Sequence, residues 1–295
     1  MGIVNFILNL AGLLLWLNWR SNRVDPLVRR LPATLMGTLR PATPRELRRW
    51  HLLAFIAALL VVRALIYWQI GKETNWAGKL DLGVVAIWFA SNSHLTGLYR
   101  MLLFSFASFG VMLGVFYLWV MILSLLAGPL PIHGLVTIPL GRVDGWPRWA
   151  KVVLPLVVTA ASWWLASWLF ARVEAVTPLS AAGRFQQGLV LGLASYFQWQ
   201  YPVEAILLLH LLSSYIYFGR HPLWKYVAVT GQRILLPLRK IPLQLGKVDF
   251  APLVGMALIF MVANCAEFGV KLPRIPGLGG WHIPGLVNLY AKLPF

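Results

Sequence analysis

Charge is scarce in this sequence, and acidic charge is the scarcest of all. Only 12% of the 295 residues are charged, and just nine are Asp or Glu. A soluble domain carries about a quarter charged residues, and so few polar side chains cannot cover a globule of this size. Since 59% of the residues are hydrophobic, the composition excludes an ordinary soluble domain and indicates a surface that faces lipid.

Cysteine is almost absent, and the common catalytic motifs are missing from the sequence. The single cysteine, Cys265, excludes an intramolecular disulfide and a cysteine metal cluster. The histidines form no i, i+4 pair that would suit a metal or haem. No G-x-x-x-x-G-K-[ST], G-x-S-x-G or H-E-x-x-H motif occurs, and Asp144 and Asp249 are predicted helix N-caps rather than catalytic carboxylates. We therefore predict no enzyme activity, no metal and no cofactor.

The net charge of +17 would by itself suit a nucleic-acid partner. The basic residues, however, lie between apolar runs, where the positive-inside loops of a membrane protein occur. We therefore predict that this charge faces an anionic lipid bilayer and that the protein has no nucleic-acid partner.

Six apolar stretches meet or approach the roughly 20 residues that a transmembrane helix needs. They are Val4 to Trp19, Leu52 to Ile70, Met101 to Ala127, Val152 to Ala171, Pro202 to Gly219 and Phe250 to Val270. The shorter strip Leu82 to Ala90 suits a strand or an interfacial segment. The predicted fold class is all-α, a polytopic membrane helix bundle with about six transmembrane helices.

The loops between these stretches alternate in basic charge. The first, third and fifth loops hold 17 Lys and Arg residues, whereas the second, the fourth and the C-terminal tail hold eight. By the positive-inside rule the richer set is cytoplasmic. This predicts an integral protein of the bacterial inner membrane with both termini outside.

A repeat of about 100 residues divides the chain. DPLVRRLPATLMGTLRP from Asp25 aligns without a gap with HPLWKYVAVTGQRILLP from His221, and IPLGRVD from Ile138 is similar to IPLQLGKVD from Ile241. Each unit is a helix, a basic segment with proline, and a returning helix. We predict repeat units at 1–70, 101–171 and 202–270, external loops at 71–100 and 172–201, and an external tail at 271–295.

The third unit resembles the YggT family, also called YlmG, of integral membrane proteins. The match runs from His221 to Val270 and includes HPLWKYVAVTGQRILLPLRK and GKVDFAPLVGMALIF. Typical members have one or two such units, whereas this chain has three. Members are associated with bacterial cell division, envelope organisation and osmotic stress, and in chloroplasts with cytochrome complex maturation. The resemblance therefore implies a membrane factor without enzyme activity.

The segment from Pro222 to Leu238 has apolar residues on one helical face and basic residues mostly elsewhere. This pattern predicts an amphipathic helix in the cytoplasmic interface. An ordinary loop folded against the bundle is the alternative. The predicted membrane-interface residues of the first and third units are Pro26, Leu27, Arg29, Arg30, Pro222, Leu223, Trp224, Lys225, Arg233 and Arg239.

Polar groups inside the apolar stretches are the default functional candidates of a membrane protein. We predict that Arg63 packs inward within hydrogen-bonding reach of Glu267 or Glu204. The alternative is that each charge extends separately to the headgroups. His210 and Asn264 are expected to form hydrogen bonds between helices.

Two classes of function fit these features. The first is a structural, assembly or envelope-organisation protein, or an accessory subunit, that docks a membrane-protein partner, with a homo-oligomer left open. The second is a small-solute or ion transporter or channel that uses Arg63 and Glu267. Transporters usually have Gly or Pro breaks within their helices, whereas Pro155 and Pro252 lie at predicted helix starts, which favours the first class.

Overall fold

The computed structural model describes residues 2–24, 49–74, 76–91, 95–127, 139–176, 180–216, 219, 222–238, 241, 243–245, 248–271 and 282–293. These residues are mostly helical, as predicted. The α-helices are α1 Gly2–Val24, α2 Arg49–Thr74, α3 Leu95–Ala127, α4 Arg148–Arg172, α5 Ala181–Ala194, α6 Gln200–Tyr215, α7 Pro222–Ile234, α8 Ala251–Phe268 and α9 Leu286–Ala291.

Short elements connect several of these helices. Two 3-10 helices cover Gly141–Gly145 and Ser195–Trp199. Three two-stranded sheets pair β1 with β2, β3 with β4 and β5 with β6. The strands are β1 Ala77–Asp81, β2 Ala86–Ala90, β3 Gln244–Leu245, β4 Val248–Asp249, β5 Gly269–Lys271 and β6 His282–Pro284.

Packing divides the chain into two compact units. Unit 1 comprises Met1–Leu80, Trp88–Gly114 and Thr137–Gly141. Unit 2 comprises Asp81–Ile87, Val115–Val136 and Arg142–Phe295. The core of unit 1 lies where α1 and α2 pack on the first part of α3, around Ile56, Leu60 and Phe109. The core of unit 2 includes Leu207, Leu235 and Ala251.

Five helices in the described part of the chain are long and apolar enough to cross a bilayer, namely α1, α2, α3, α4 and α8. Each coincides with one of the six predicted stretches. The remaining stretch, Pro202 to Gly219, forms only the 16-residue α6. This helix is shorter than predicted because the backbone becomes extended at Ile216, where φ is −119° and ψ is 127°.

Tryptophans mark both ends of α2 and of α4. In α2, Trp50 and Trp68 are 18 positions apart, which corresponds to about 27 Å of helix. In α4, Trp149 and Trp168 are 19 positions apart. A cation lies over the tryptophan ring at the C-terminal end of each helix. Lys72 Nζ lies 3.4 Å from the ring centroid of Trp68, and Arg172 Cζ lies 4.9 Å from the ring centroid of Trp168. This spacing matches the aromatic belts of a bilayer about 30 Å thick.

The strip Leu82 to Ala90 contains strand β2, which confirms the strand alternative over Ala86–Ala90. In unit 1 the ring of Phe104 is surrounded by three aromatic rings, at centroid distances of 6.1 Å to Tyr67, 6.0 Å to Trp76 and 5.8 Å to Phe89. Burial of these rings attaches the strand segment to the helices.

The segment predicted as an external loop at 172–201 contains α5, which packs along α4 in unit 2. A Cβ on Gly188 would lie 2.9 Å from the Ala160 carbonyl oxygen, and one on Gly192 would lie 2.9 Å from that of Leu156. The pairing continues at one end, where Trp163 Nε1 donates to Gln187 Oε1 at 3.3 Å. The two glycines allow the antiparallel backbones to approach closely.

The predicted tail at 271–295 folds back onto α8 over the residues that the structure describes there. Strands β5 and β6 pair in antiparallel register, with Val270 opposite Ile283. Gly269 has a φ of +84°, and a Cβ there would lie 2.3 Å from the Ile283 carbonyl oxygen, so the turn out of α8 requires glycine. Asn288 of α9 donates to the Phe268 carbonyl oxygen at 3.1 Å.

Candidate functional site

Arg63 lies at the middle of α2 and is only 1% exposed. Its guanidinium donates three hydrogen bonds within unit 1. Nε reaches Ser105 Oγ at 2.9 Å, one terminal nitrogen reaches Asn9 Oδ1 at 2.5 Å, and the other reaches the Ser105 carbonyl oxygen. Arg63 therefore connects α2 to both α1 and α3, and the prediction that it packs inward is confirmed.

The predicted carboxylate partner of Arg63 is wrong. Each guanidinium nitrogen already donates to a neutral oxygen from Asn9 or Ser105. Because α2 begins at Arg49, Arg63 lies at the middle of this helix. The predicted pair with Glu204 or Glu267 required Arg63 to lie nearer the outer end of the helix. The structure satisfies the buried charge with amide, hydroxyl and carbonyl dipoles, which are the remaining means of stabilising it away from water.

The polar network extends through a second serine on α3. Asn5 Nδ2 and Asn9 Nδ2 donate to Ser108 Oγ at 3.1 and 3.0 Å, and Ser105 Oγ donates to the Leu60 carbonyl oxygen at 2.7 Å. Sequence reasoning missed these partners. The spacing of Asn5 to Asn9 by four and of Ser105 to Ser108 by three, each along one helical face, was the signal that could have identified them.

The other predicted intramembrane polar residues lie in unit 2 and do not form one site. Glu204 lies near the start of α6, with Oε1 buried and without a hydrogen bond in the described residues. Glu267 is half-buried beside the start of β5. The His210 ring packs on α7, where a Cβ on Gly231 would lie 2.6 Å from it. Asn264 is exposed on α8, which corrects its predicted position between helices.

The predicted amphipathic helix forms as α7, but it ends at Ile234 and not at Leu238. Its apolar face is buried within unit 2, where Tyr226 and Val227 pack with Ile206 of α6 and Leu123 of α3. The apolar face thus contacts protein, as the alternative of a segment folded against the bundle expected. This happens because α6 and the end of α3 offer an apolar surface that excludes water.

The predicted interface residues fall into three groups. Leu223 and Trp224 are half-buried, whereas Lys225 and Arg233 are exposed on α7, and Pro222 begins that helix. Contact of these basic groups with lipid stays a prediction. The interface residues that lie outside the described part of the chain are Pro26, Leu27, Arg29, Arg30 and Arg239.

Asp144 belongs to a partly buried polar triad in unit 2, and its predicted role as an N-cap is wrong. Ser124 Oγ donates to Asp144 Oδ1 at 2.6 Å, while the buried Lys151 Nζ donates to Ser124 Oγ at 2.7 Å and to Asp144 Oδ1 at 3.3 Å. The residue before α4 is Pro147, whose side chain has no polar group that could cap the helix. The triad is an ion pair with a bridging hydroxyl.

The carboxylate of Asp249 does support the start of α8. It accepts a hydrogen bond from the Ala251 backbone N–H at 2.9 Å. Phe250, which directly precedes α8, makes no side-chain capping bond. The N-cap residue is thus Phe250 and not Asp249 as predicted, although the Asp249 carboxylate binds the first helical N–H from one residue further upstream.

Comparison with protein-family models, with curated proteins and with solved structures finds no match to this chain. Its class therefore rests on the fold and the sites themselves. The mostly helical fold, with five apolar helices of membrane length, is compatible with a membrane protein.

Proposed function

We propose that this chain is an integral membrane protein of the bacterial inner membrane with a structural, assembly or accessory-subunit role. The burial and bonding of Arg63 carry this proposal. Its charge joins α1, α2 and α3 and is closed off from solvent, whereas the charges of transporters face a cavity or pathway. The resemblance of His221 to Val270 to the YggT family supports the same class.

The exposed amide of Asn264 supports a partner for α8. It lies on a helix of membrane length whose exposed side chains include Phe260, Met261 and Val262. An amide facing hydrocarbon leaves its donors and acceptor unpaired, and a hydrogen bond from a neighbouring helix removes that penalty. A second membrane helix, from another protein or another copy of this chain, is the occupant that fits.

The partner is tested by photo-crosslinking in intact membranes. A crosslinking side chain at Asn264 should yield one discrete adduct, and the same group at the exposed Leu258 of α8 should yield mainly lipid adducts. Asn264→Leu should weaken co-purification of that adduct's partner in mild detergent, while Leu258→Ala should not. Only lipid adducts at both positions would contradict the proposed partner.

The transporter alternative is tested with the purified chain in proteoliposomes. We expect monovalent-ion flux equal to that of empty liposomes. If the protein conducts, and if Arg63→Gln changes the flux while Val62→Ala on the same helix does not, the structural role of Arg63 is wrong and the alternative holds.

A further inference from the structure

A cavity of about 260 Å³ lies within unit 2, where α3, α4 and α7 meet. Its lining combines two cations and a hydroxyl with an apolar wall. The six lining residues are Leu125, Leu126, Arg148, Thr230, Arg233 and Ile234. Its volume is close to the lower limit of about 300 Å³ for small-molecule sites, so it suits a headgroup rather than a whole lipid.

Arg148 contributes more than its side chain, because it is the first residue of α4. The first turn of a helix leaves backbone N–H groups without intrahelical acceptors, and these groups favour an anion. Here Pro147 supplies no side-chain cap. The cavity lining therefore includes the guanidinium of the first residue of a long helix.

Thr230 supplies a buried hydroxyl to the cavity from α7. It is 1% exposed, and its hydroxyl, which interacts with the Tyr226 hydroxyl one turn earlier, has no well-aligned hydrogen bond in the described residues. Tyr226, one turn earlier, directs its own hydroxyl proton to the Leu123 carbonyl oxygen at 3.1 Å. A buried hydroxyl without a well-aligned hydrogen bond is unfavourable, and a ligand oxygen in the cavity would satisfy it.

Among the described residues, no ion pair balances the charge of the two cavity arginines. None of the lining residues is acidic. The nearby Asp144 is already held by Lys151 and Ser124. Arg148 and Arg233, by contrast, make no ion pair in the part of the chain that the structure describes.

We infer that this cavity binds a phosphate group, held by Arg148, Arg233 and the Thr230 hydroxyl. Guanidinium groups pair with phosphate oxygens through two parallel hydrogen bonds. The apolar wall of Leu125, Leu126 and Ile234 provides a place for the first carbons of an attached chain. The ligand that matches both parts is an anionic phospholipid headgroup, and free phosphate shares only the polar part.

The neighbouring residues place the cavity at a bilayer surface. Trp146 and Trp149 flank Arg148 and are both exposed, as tryptophans at the headgroup level are. This location rests on the proposal that the chain is an integral membrane protein, and not on the proposed partner of α8. Failure of the lipid site would therefore leave the crosslinking result at Asn264 unaffected.

The site is tested with the full chain purified in an uncharged detergent. Thermal stability is titrated with phosphatidylglycerol, with phosphatidylcholine as the neutral lipid and with inorganic phosphate. The variants are Arg148→Gln with Arg233→Gln, and Thr230→Val, which keeps the volume but removes the hydroxyl. Lys292→Gln, at an exposed position directly after α9, is the matched charge control.

We expect phosphatidylglycerol to raise the melting temperature at least tenfold more potently than phosphatidylcholine. The double glutamine variant should weaken that effect about tenfold or more, Thr230→Val should weaken it less, and Lys292→Gln should leave it unchanged. An equal response to inorganic phosphate, with the same variant pattern, assigns the site to a soluble phosphate. An equal loss in Lys292→Gln, or none in the arginine variant, overturns the inference.

Discussion

Arg63 shows how a single buried charge can organise three apolar helices. The free energy of leaving a cation in hydrocarbon is high, with estimates that start at about 2.5 kcal/mol. The protein lowers this cost by surrounding the guanidinium with the dipoles of Asn9 and Ser105. These acceptors come from α1 and α3. The need of the Arg63 guanidinium for hydrogen-bond acceptors therefore favours α1 and α3 as the neighbours of α2.

The first prediction concerns the acceptor on α1. Asn9→Ala should lower the free energy of unfolding by about 1–2 kcal/mol, because Arg63 loses a buried acceptor for its charge. The exposed neighbour Leu10 provides the control, and Leu10→Ala should change stability by less. The measurement is SDS-induced unfolding in mixed micelles.

A double-mutant cycle separates this pair from general packing. In an Arg63→Met background, Asn9→Ala should cost at least about 1 kcal/mol less than it does in the wild type, since the charge is gone. Equal costs of Asn9→Ala in the two backgrounds would mean that the hydrogen bond contributes nothing to stability.

Tyr226 gives a second prediction at this scale, from its burial in α7. Burial raises the pKa of Tyr226 to about 12, from an ordinary value of about 10. The neutral form is therefore favoured by folding, so its contribution is complete below pH 10 and is lost as pH rises from about 10 to 12. The loss should be about 3 kcal/mol at most, since each unit of pKa is worth about 1.4 kcal/mol.

The measurement for Tyr226 is the unfolding free energy followed between about pH 9 and 12. Tyr226→Phe should be less stable at pH 9, because the hydrogen bond to Leu123 is gone, and its stability should fall less steeply toward pH 12. Part of the slope remains in the variant because burial also raises the pKa of Tyr290 to about 12. Identical slopes in both proteins would contradict the assignment.

At the scale of elements, the α4–α5 pair depends on close backbone contact. The contacts step by four residues on each helix, from Ala160 against Gly188 to Leu156 against Gly192. Such a Gly-x-x-x-Gly surface lets two helices meet without intervening side chains. Tyr196, four residues further, donates to the Val152 carbonyl oxygen at 2.5 Å and continues the same register.

The third prediction compares two glycine substitutions with opposite expected signs. Gly188→Ala should destabilise the chain by about 1–3 kcal/mol, since the new Cβ meets backbone at 2.9 Å and overpacking exceeds the gain of about 1 kcal/mol in helix propensity. Gly114→Ala in α3 has nothing within 4 Å of its Cβ and should be neutral or stabilising.

Thermal unfolding in detergent checks this pair of variants. The informative quantity is the sign of each change, because both substitutions add one methyl group to a helix interior. A stabilising Gly188→Ala would show that α4 and α5 are further apart in the protein than this register requires.

For the whole molecule, the number of spans decides where the termini lie. Five spans place the two termini on opposite sides, whereas six place them on the same side. The deciding element is α6, whose 16 residues cover about 24 Å, less than the hydrocarbon thickness of about 30 Å. The 3-10 helix Ser195–Trp199 directly precedes it and adds about 10 Å, so the combined segment is long enough.

The fourth prediction is therefore six spans with both termini outside. In a Cys265→Ala background, single cysteines at Gly2 and Lys292 should react with an impermeant reagent in intact cells. A cysteine at Arg233 should react only after the membrane is permeabilised. Labelling of Gly2 but not Lys292 in intact cells would instead establish five spans and make α6 a segment that does not cross.

Pattern reasoning succeeded where a feature depends on neighbours in the chain. Hydrophobic length located α1, α2, α3, α4 and α8, because a 20-residue apolar run has few alternatives to a membrane-length helix. Periodicity located α7, and the position of Asp249 before α8 indicated that its carboxylate supports the start of that helix. The helix α5 was missed although Gly188 and Gly192 carried its signal, because 14 residues are too few to be recognised as a span.

Chain composition alone thus determined that the protein is helical, apolar over membrane-length segments and basic between them. Which polar groups meet was decided only by tertiary packing. Arg63 could have paired with an acid, but the approach of α1 and α3 placed Asn9 and Ser105 at its nitrogens. Asp144 could have capped α4, but it forms an ion pair with Lys151 instead. Hydrogen bonds act over about 3 Å, and a sequence specifies helix faces but not the distances between them.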